Sequence, residues 1–337
     1  MITTSLCMIV KNEEAVLKRC LDSIADIMDE IIIIDTGSTD KTKEIAKQYT
    51  EHVYDYVWID DFADARNFSF SKASMDYIYV ADADEVIDEE NKRRFLQLKQ
   101  ALLPEIEIVQ MKYCNQLEFN TTYNFDVEYR PKLYKRLRSF QWMEPVHEMV
   151  RLEPIIFDSE IEIMHKPLSN HAGRDFSIFQ KFIHNGQVLS KKLHHMYARE
   201  LFIAGDEKDF IQAANYFRAT MSEEGRSMDE IKEAACVVAK ADRLAQDITS
   251  FFTHCIKDVA SDSCAEICYE LGEFYFELQD YQEATIWYYN AAYETESILN
   301  IHYGGDMPLN RLSECFEKLE NKEQANEYKK LANNWSN

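Results

Sequence analysis

The sequence predicts an α/β layered domain followed by an all-α helical-repeat domain. Three observations carry that prediction. In the first eighty residues short apolar strands alternate with segments of helical period, the rhythm of a parallel sheet covered by helices. Each of these strands runs into polar, mostly acidic residues, so one sheet edge collects the chemistry. From about residue 174 to the end strands vanish and only helical periodicity remains. The expected domains are 1–170 and 171–337.

Taken in order, Ser5 to Val10 reads as a buried strand, and Glu13 to Ala25 as a helix with Ala15, Val16, Leu17, Leu21 and Ile24 inward. Ile31 to Ile34 are four consecutive isoleucines, a strand covered on both faces and so of parallel type. It stops at Asp35-Thr36-Gly37-Ser38-Thr39-Asp40, a polar turn able to cap a helix over Lys41 to Tyr49. Val53 to Trp58 is a third strand, Asp64 to Ala73 a short helix, and Tyr77 to Ala81 a fourth strand. That strand delivers Asp82-Ala83-Asp84-Glu85. Hard oxygen ligands on alternate residues suit Mg²⁺ or Mn²⁺, and the same aspartates are also good helix caps. Between about 105 and 165 the rhythm becomes one of short strands: Ile106 to Met111, Glu118 to Asn124, Arg130 to Arg136, Val146 to Leu152 and Ile161 to Met164. These read as an antiparallel addition to the same domain.

Composition narrows the function classes. Thirty-seven Lys and Arg face 60 Asp and Glu, a net charge of −23, which repels nucleic-acid phosphate. No nucleic-acid partner is expected. No apolar run approaches the roughly 20 residues of a membrane helix and no signal peptide opens the chain, so a cytoplasmic protein is expected. The eight cysteines include no CxxC pair. Cys264 and Cys268 lie one helical turn apart without a nearby His, which favours core thiols over zinc ligands and fits a reducing compartment.

The helical half is repetitive. Leu271, Gly272, Tyr275, Tyr281, Ala284, Tyr288 and Ala291 match the spacing of the 34-residue tetratricopeptide template. Leu312, Phe316, Ala325 and Ala332 form a second copy, and Tyr197, Phe210, Ala213 and Phe217 a weaker one. Residues 231–260 are helical but fit the template poorly. Concave repeat surfaces suit peptides, and self-association through them into a homodimer is a further expectation. His194 and His195 read as surface residues of a helix.

Five segments in a fixed order now add to this reading: CMIVKNEEAVLKRCLDSI, DEIIIIDTGSTDKTKEIA, DFADARNFS, DYIYVADADEVID and WMEPVHEMV. Together they resemble the family 2 glycosyltransferases of GT-A fold that carry tetratricopeptide repeats. That group includes transferases for lipopolysaccharide core and sublancin-type S-glycosyltransferases of peptides. The resemblance covers roughly residues 2 to 170, and the tail more loosely. It implies a Rossmann-like nucleotide-sugar-binding domain and an inverting transfer from a UDP-sugar, assisted by Mn²⁺ or Mg²⁺.

Position by position, the resemblance implies that Lys11, Asn12 and Glu13 line the base and ribose pocket and that Asp35 accepts from the uracil N–H. Asp64, Arg66 and Asn67 would sit beside the nucleotide. Asp82 would face ribose or metal, Asp84 would hold the metal, and His165 would be offered to it late in the domain. Arg66 can equally pair with Asp61 or Asp64. Arg130 lies on a strand resembling the family's acceptor side. The base is His147 or Glu148, which stand where many relatives have an acidic pair; on a regular strand only one of the two would enter the crevice.

The acceptor expected is a protein or peptide side chain. The alternative is a glycan or lipid-linked saccharide of the cell envelope, and a remote alternative is a catalytically inactive interaction module. A nucleotidyltransferase would show a Gly-rich basic loop after the first strand, whereas Lys11-Asn12-Glu13-Glu14 is acidic and without glycine.

Overall fold

The computed structural model describes residues 1–114, 127–138, 140–147, 149–150, 154–167, 172–259 and 263–335. The chain divides into two compact units, Met1–His171 and Ala172–Asn337.

The first unit is built on a sheet of eight strands. In chain order they are β1 (Thr4–Val10), β2 (Glu30–Asp35), β3 (Val53–Asp55), β4 (Tyr77–Val80), β5 (Glu85–Val86), β6 (Ile108–Cys114), β7 (Glu128–Lys135) and, after the small hairpin β8 (Trp142–Met143) and β9 (Met149–Val150), β10 (Ile156–His165). Their spatial order is β3-β2-β1-β4-β7-β6-β10-β5. The first four are parallel, as four isoleucines in a row require. Ile31 and Ile33 pack into the core on one face, with Leu17 and Leu21 of α1 (Leu17–Ile24) and Phe95 of α4 (Glu89–Ala101). Ile32 and Ile34 enter the other core, with Ala63 of α3 (Phe62–Lys72).

Several elements differ from the sequence reading. The later strands are a mixed addition: β7 runs antiparallel to β4 and β6, whereas β10 lies parallel to β6. β10 begins five residues earlier than expected, and β5 was not foreseen. The third strand stops at Asp55, and α2 spans only Thr42–Ala46. Of the expected strand Val146 to Leu152, Val146 and His147 lie in a turn, where Glu144 (φ 76°) and His147 (φ 48°) adopt left-handed backbone, and Met149–Val150 form β9; residues 148, 151 and 152 lie outside the described residues. The expected strand Glu118 to Asn124 lies outside the described residues. The open edge of β10 is covered by α4, where Arg94 donates to the Glu160 carbonyl (2.8 Å) and Asn91 accepts from Glu162 N–H (2.9 Å).

The second unit is all helical: α5 (Ala172–His184), α6 (Lys191–Ala204), α7 (Glu207–Thr220), α8 (Met228–Leu244), α9 (Ile248–Val259), α10 (Ala265–Glu277), α11 (Tyr281–Tyr289), α12 (Asp306–Lys318) and α13 (Lys322–Asn333). Successive helices pack as pairs joined by short turns. In the α10–α11 pair, Gly272 faces the ring of Tyr288, and a Cβ there would stand 2.5 Å from a ring carbon. In the α12–α13 pair a serine takes the place of that glycine, and Ser313 Oγ donates to the Ala325 carbonyl (2.8 Å). Contrary to the surface reading, His194 is wholly buried, with Nε2 beside the Glu230 carbonyl and Nδ1 beside the Tyr216 hydroxyl. A helix-period stretch gives no warning of this when the surrounding aromatics come from the next helix.

Two predictions follow from this packing. Gly272→Ala forces Tyr288 off its position and should destabilise the chain by about 1–3 kcal/mol in chemical denaturation. At the start of α8, Ser227 and Glu230 cap one another and Arg226 pairs with Glu230 at 2.9 Å. Burial alone would raise the Glu230 carboxyl, but the Ser227 backbone and Arg226 outweigh it and hold it down to about 2, against 4.5 when unfolded. A depressed carboxyl contributes stability above its unfolded value, and that contribution fades as pH falls through the folded one. The stability gap between the natural chain and Glu230→Gln should therefore be full near pH 6 and close between about pH 4.5 and pH 2.

Candidate active site

Every strand of the parallel half delivers a polar residue to the carboxyl edge. β1 and β2 end side by side, Val10 opposite Asp35, and the turns that follow bind each other. Asn12 (φ 57°) accepts from Thr39 N–H (2.8 Å) while its own N–H donates to Ser38 Oγ (2.9 Å), and Glu13 N–H donates to Thr42 Oγ1 (2.7 Å). Lys11 is exposed beside them. Asp35 is buried. Its Oδ1 accepts from Gly37 and Ser38 N–H (3.0 and 2.9 Å) and lies 3.6 Å from Lys43 Nζ. Its Oδ2 has no hydrogen-bond partner among the described residues. A buried carboxylate oxygen left in that state is a ready acceptor for a ligand N–H.

α3 starts at Asp61, whose side chain caps Asp64 N–H at 3.0 Å. Asp64 in turn accepts from the Tyr56 hydroxyl. Asn67 holds the backbone of Trp142 with both ends of its amide (2.8 and 3.0 Å), which pins the hairpin carrying His147 against α3. Phe62 N–H to the Pro145 carbonyl (2.9 Å) is a second pin. Arg66, buried beneath Trp142, reaches neither Asp61 nor Asp64 as a partner; it donates to Asp82 at 3.0 Å.

The acidic turn lies at the end of β4. Burial would raise the Asp82 carboxyl, but Arg66 and Lys132 overcome that and hold it well below the ordinary carboxylate range. About half of its side chain (49%) still faces solvent, the situation of a charge on the floor of an open cleft. Asp84 meets His165 because β5 pairs antiparallel with the end of β10, Glu85 opposite His165. The distance from His165 Nε2 to Asp84 Oδ2 is 3.2 Å. A carboxylate oxygen and an imidazole nitrogen at that separation match adjacent positions around an octahedral ion, a mixed O,N pair that fits Mn²⁺ better than Mg²⁺. Glu148 lies outside the described residues. His147 is placed by the hairpin turn, so strand alternation does not decide which way it points.

Sequence reasoning missed the groups that make this turn stable. Glu85 is buried and paired with Lys132 Nζ at 2.5 Å. Arg130, two residues earlier on the same face of β7, lies over the ring of Tyr113 (3.9 Å), and Tyr113 packs at a tilt against His165 (centroids 5.2 Å, 34° between planes). The alternation Arg130, Lys132 was the available signal, since two cations on one face of a strand need anions opposite. Lys132→Met strands a buried carboxylate and should cost about 3–5 kcal/mol in denaturant titration, with much of the loss recovered in the Lys132→Met, Glu85→Gln double variant.

Comparison with known proteins shows what the chain is similar to. Residues 5–152 match the model described as Glycosyl transferase family 2. A TPR repeat-containing protein of Synechococcus elongatus is 47% identical over 85 residues, 25% of this chain and 21% of that protein. The SPbeta prophage-derived glycosyltransferase SunS of Bacillus subtilis is 36% identical over 102 residues, 30% of this chain and 24% of that protein. The chain thus spans less than a quarter of the length of these relatives. Among solved structures, glucosyl-3-phosphoglycerate synthase from Mycobacterium tuberculosis with Mn²⁺ and UDP-glucose aligns over 56% of this chain and 81% of that one, at 16% identity and a TM-score of 0.38. Residues 5–152, less than half of the chain, are thus similar to the family 2 glycosyltransferases.

Proposed function

We propose that the chain is an inverting, metal-dependent glycosyltransferase that moves a sugar from a UDP-sugar to a protein or peptide side chain. The observation that carries this reading is the pairing of Asp84 with His165 beside an Asp82 held ionised by Arg66, on the sheet edge that also presents the buried Asp35. Asp35 Oδ2 would accept the imide N–H of uracil, with Lys11, Asn12 and Glu13 along the base and ribose. Asp64 and Arg66 would flank the nucleotide, and Asn67 would hold the hairpin beside it.

Asp84 and His165 would hold Mn²⁺ or Mg²⁺, with Asp82 adjacent; the ion supplies charge stabilisation for the departing diphosphate. Arg66 is the cation that the chain itself brings to that leaving group. His147 or Glu148 would take the proton from the acceptor as its nucleophile attacks C1 from the face opposite the UDP. The helix pairs of the second unit, read as tetratricopeptide-like repeats, would present the acceptor peptide, and the similarity to a relative named as a glycosyltransferase and to one named for its repeats supports joining the two roles. No helix among the described residues is long and apolar enough to cross a membrane.

The test is release of free nucleotide, with thermal shift, over a panel of UDP- and GDP-sugars with and without Mn²⁺. One UDP-sugar should raise the melting temperature in a metal-dependent way and be turned over. Asp84→Ala should lower turnover by about 10²–10³-fold while the protein remains folded. Stabilisation by a GDP-sugar, or none by any nucleotide sugar in a folded sample, would overturn the reading.

A further inference from the structure

The second unit contains a cluster that the transfer reaction does not use. Cys236 on α8, Cys264 at the cap of α10 and Glu266 in its first turn are all fully buried. Their ligand atoms lie within 4.8 Å of one another, and the two sulfurs are 3.4 Å apart. Asp258, in the last turn of α9 and 7% exposed, brings Oδ2 to 3.9 Å from Cys264 Sγ. We propose that these four residues form a structural site for a thiophilic divalent cation such as Zn²⁺, with Cys236, Cys264 and Glu266 as ligands and Asp258 completing the tetrahedron. This inference is independent of the activity proposed for the first unit.

Spacing supports it. Zn–S bonds of about 2.3 Å and Zn–O bonds of about 2.0–2.2 Å place tetrahedral ligand atoms roughly 3.5–3.8 Å apart. The two sulfurs stand 3.4 Å apart and Glu266 within 4.8 Å of both, so these three need only draw inward. Asp258 Oδ2, which accepts from Ser263 Oγ (3.1 Å) and Cys264 N–H (3.2 Å), must turn from those partners to complete the set. Carboxylate capacity supports it too. Glu266 Oε1 accepts the N–H groups of Ile298 (3.1 Å), Leu299 (2.7 Å) and Asn300 (3.0 Å), while Oε2 shares that of Ile298 (3.1 Å). Oε2 therefore retains a lone pair for a metal, and its orientation is fixed from behind by the backbone.

Charge gives the third argument. The carboxylates of Glu266 and Asp258 stand against the two thiols, and a dication offsets the negative charge gathered there. On binding, two S–H bonds are lost, two metal–sulfur bonds form, and two protons leave to solvent. No sequence motif announces the set, because Cys236 stands 28 residues before Cys264 and is brought to it only by packing of α8 against α10. An ion here would tie three helices together and, through Glu266, the segment 298–300.

Cobalt(II) tests it on the full chain, purified with a phosphine reductant and no chelator. One equivalent should bind with a thiolate-to-cobalt charge-transfer band, and one equivalent of Zn²⁺ should erase the band with release of two protons. Asp84→Ala should leave the band intact, which separates this site from the first unit. Cys264→Ser should abolish it, and Glu266→Gln, which keeps an acceptor for the backbone, should weaken affinity at least about tenfold. Absence of the band in the folded natural chain, or its survival in Cys264→Ser, would overturn the proposal. So would a Cys236–Cys264 disulfide in the intact mass, accompanied by no cobalt uptake after reduction. If Cys264→Ser fails to fold, the natural chain and Glu266→Gln still decide.

Discussion

Three carboxylates within four residues, Asp82, Asp84 and Glu85, cannot occupy one turn unless positive charge comes to meet them. The rest of the first unit is arranged around that need. Arg66 rises from α3 to Asp82, and Lys132 crosses from β7 to Glu85 in a pair that is almost completely buried. A buried ion pair gains little over an apolar one, but removing either half leaves an uncompensated charge. The turn is thereby locked to two elements far apart in sequence, and β5 is held where it can pair with β10 and bring His165 to Asp84. Arg130 over Tyr113, and the tilted packing of Tyr113 against His165, hold the imidazole from its other side.

The same electrostatics bears on how so acidic a chain would receive the charged leaving group proposed for it. At physiological ionic strength the field of exposed charges is screened over about 8 Å, so the net charge of −23 matters less at the cleft than its immediate neighbours. Those neighbours are Asp82, Asp84, Glu85 and Glu128 on one side and Arg66, Arg130 and Lys132 on the other. Among these described residues the carboxylates outnumber the cations by one, so the diphosphate binding proposed above would gain from a divalent cation.

The parallel half of the fold was legible because it rests on local pattern. Four isoleucines need cover on both faces, and polar turns after each strand mark the edge where function gathers. The alternating rhythm ended where the later strands began, and there the reading failed in a specific way. Short strands separated by turns look antiparallel, yet β10 returns to lie parallel to β6, a choice made by long-range packing and not by local sequence. The turn at 144–147 misled for a different reason. Val146 favours strands, but Asn67 and Phe62 of α3 hold the hairpin so tightly that Glu144 and His147 take left-handed backbone. Strain of about 1–3 kcal/mol per residue persists only where neighbours over-determine it.

The candidate site divides along the same line. Asp35, Asp82 and Asp84 were visible because each ends an apolar strand, and a carboxylate there has few purely structural uses. Lys132 and Glu85 were not, because their meaning lies in a partner 47 residues away. Cys236 and Cys264 repeat the lesson in the helical unit. As a linear pattern the cysteines read as core thiols, since neither CxxC nor a nearby His accompanies them. Helix packing changes the argument by adding Glu266 and Asp258 to the pair, and a buried thiol next to carboxylates is a different chemical object from a thiol among leucines. Repeat helices bury their inward faces regardless of what those faces carry, so a donor set can assemble wherever consecutive repeats place sulfur and oxygen at one level.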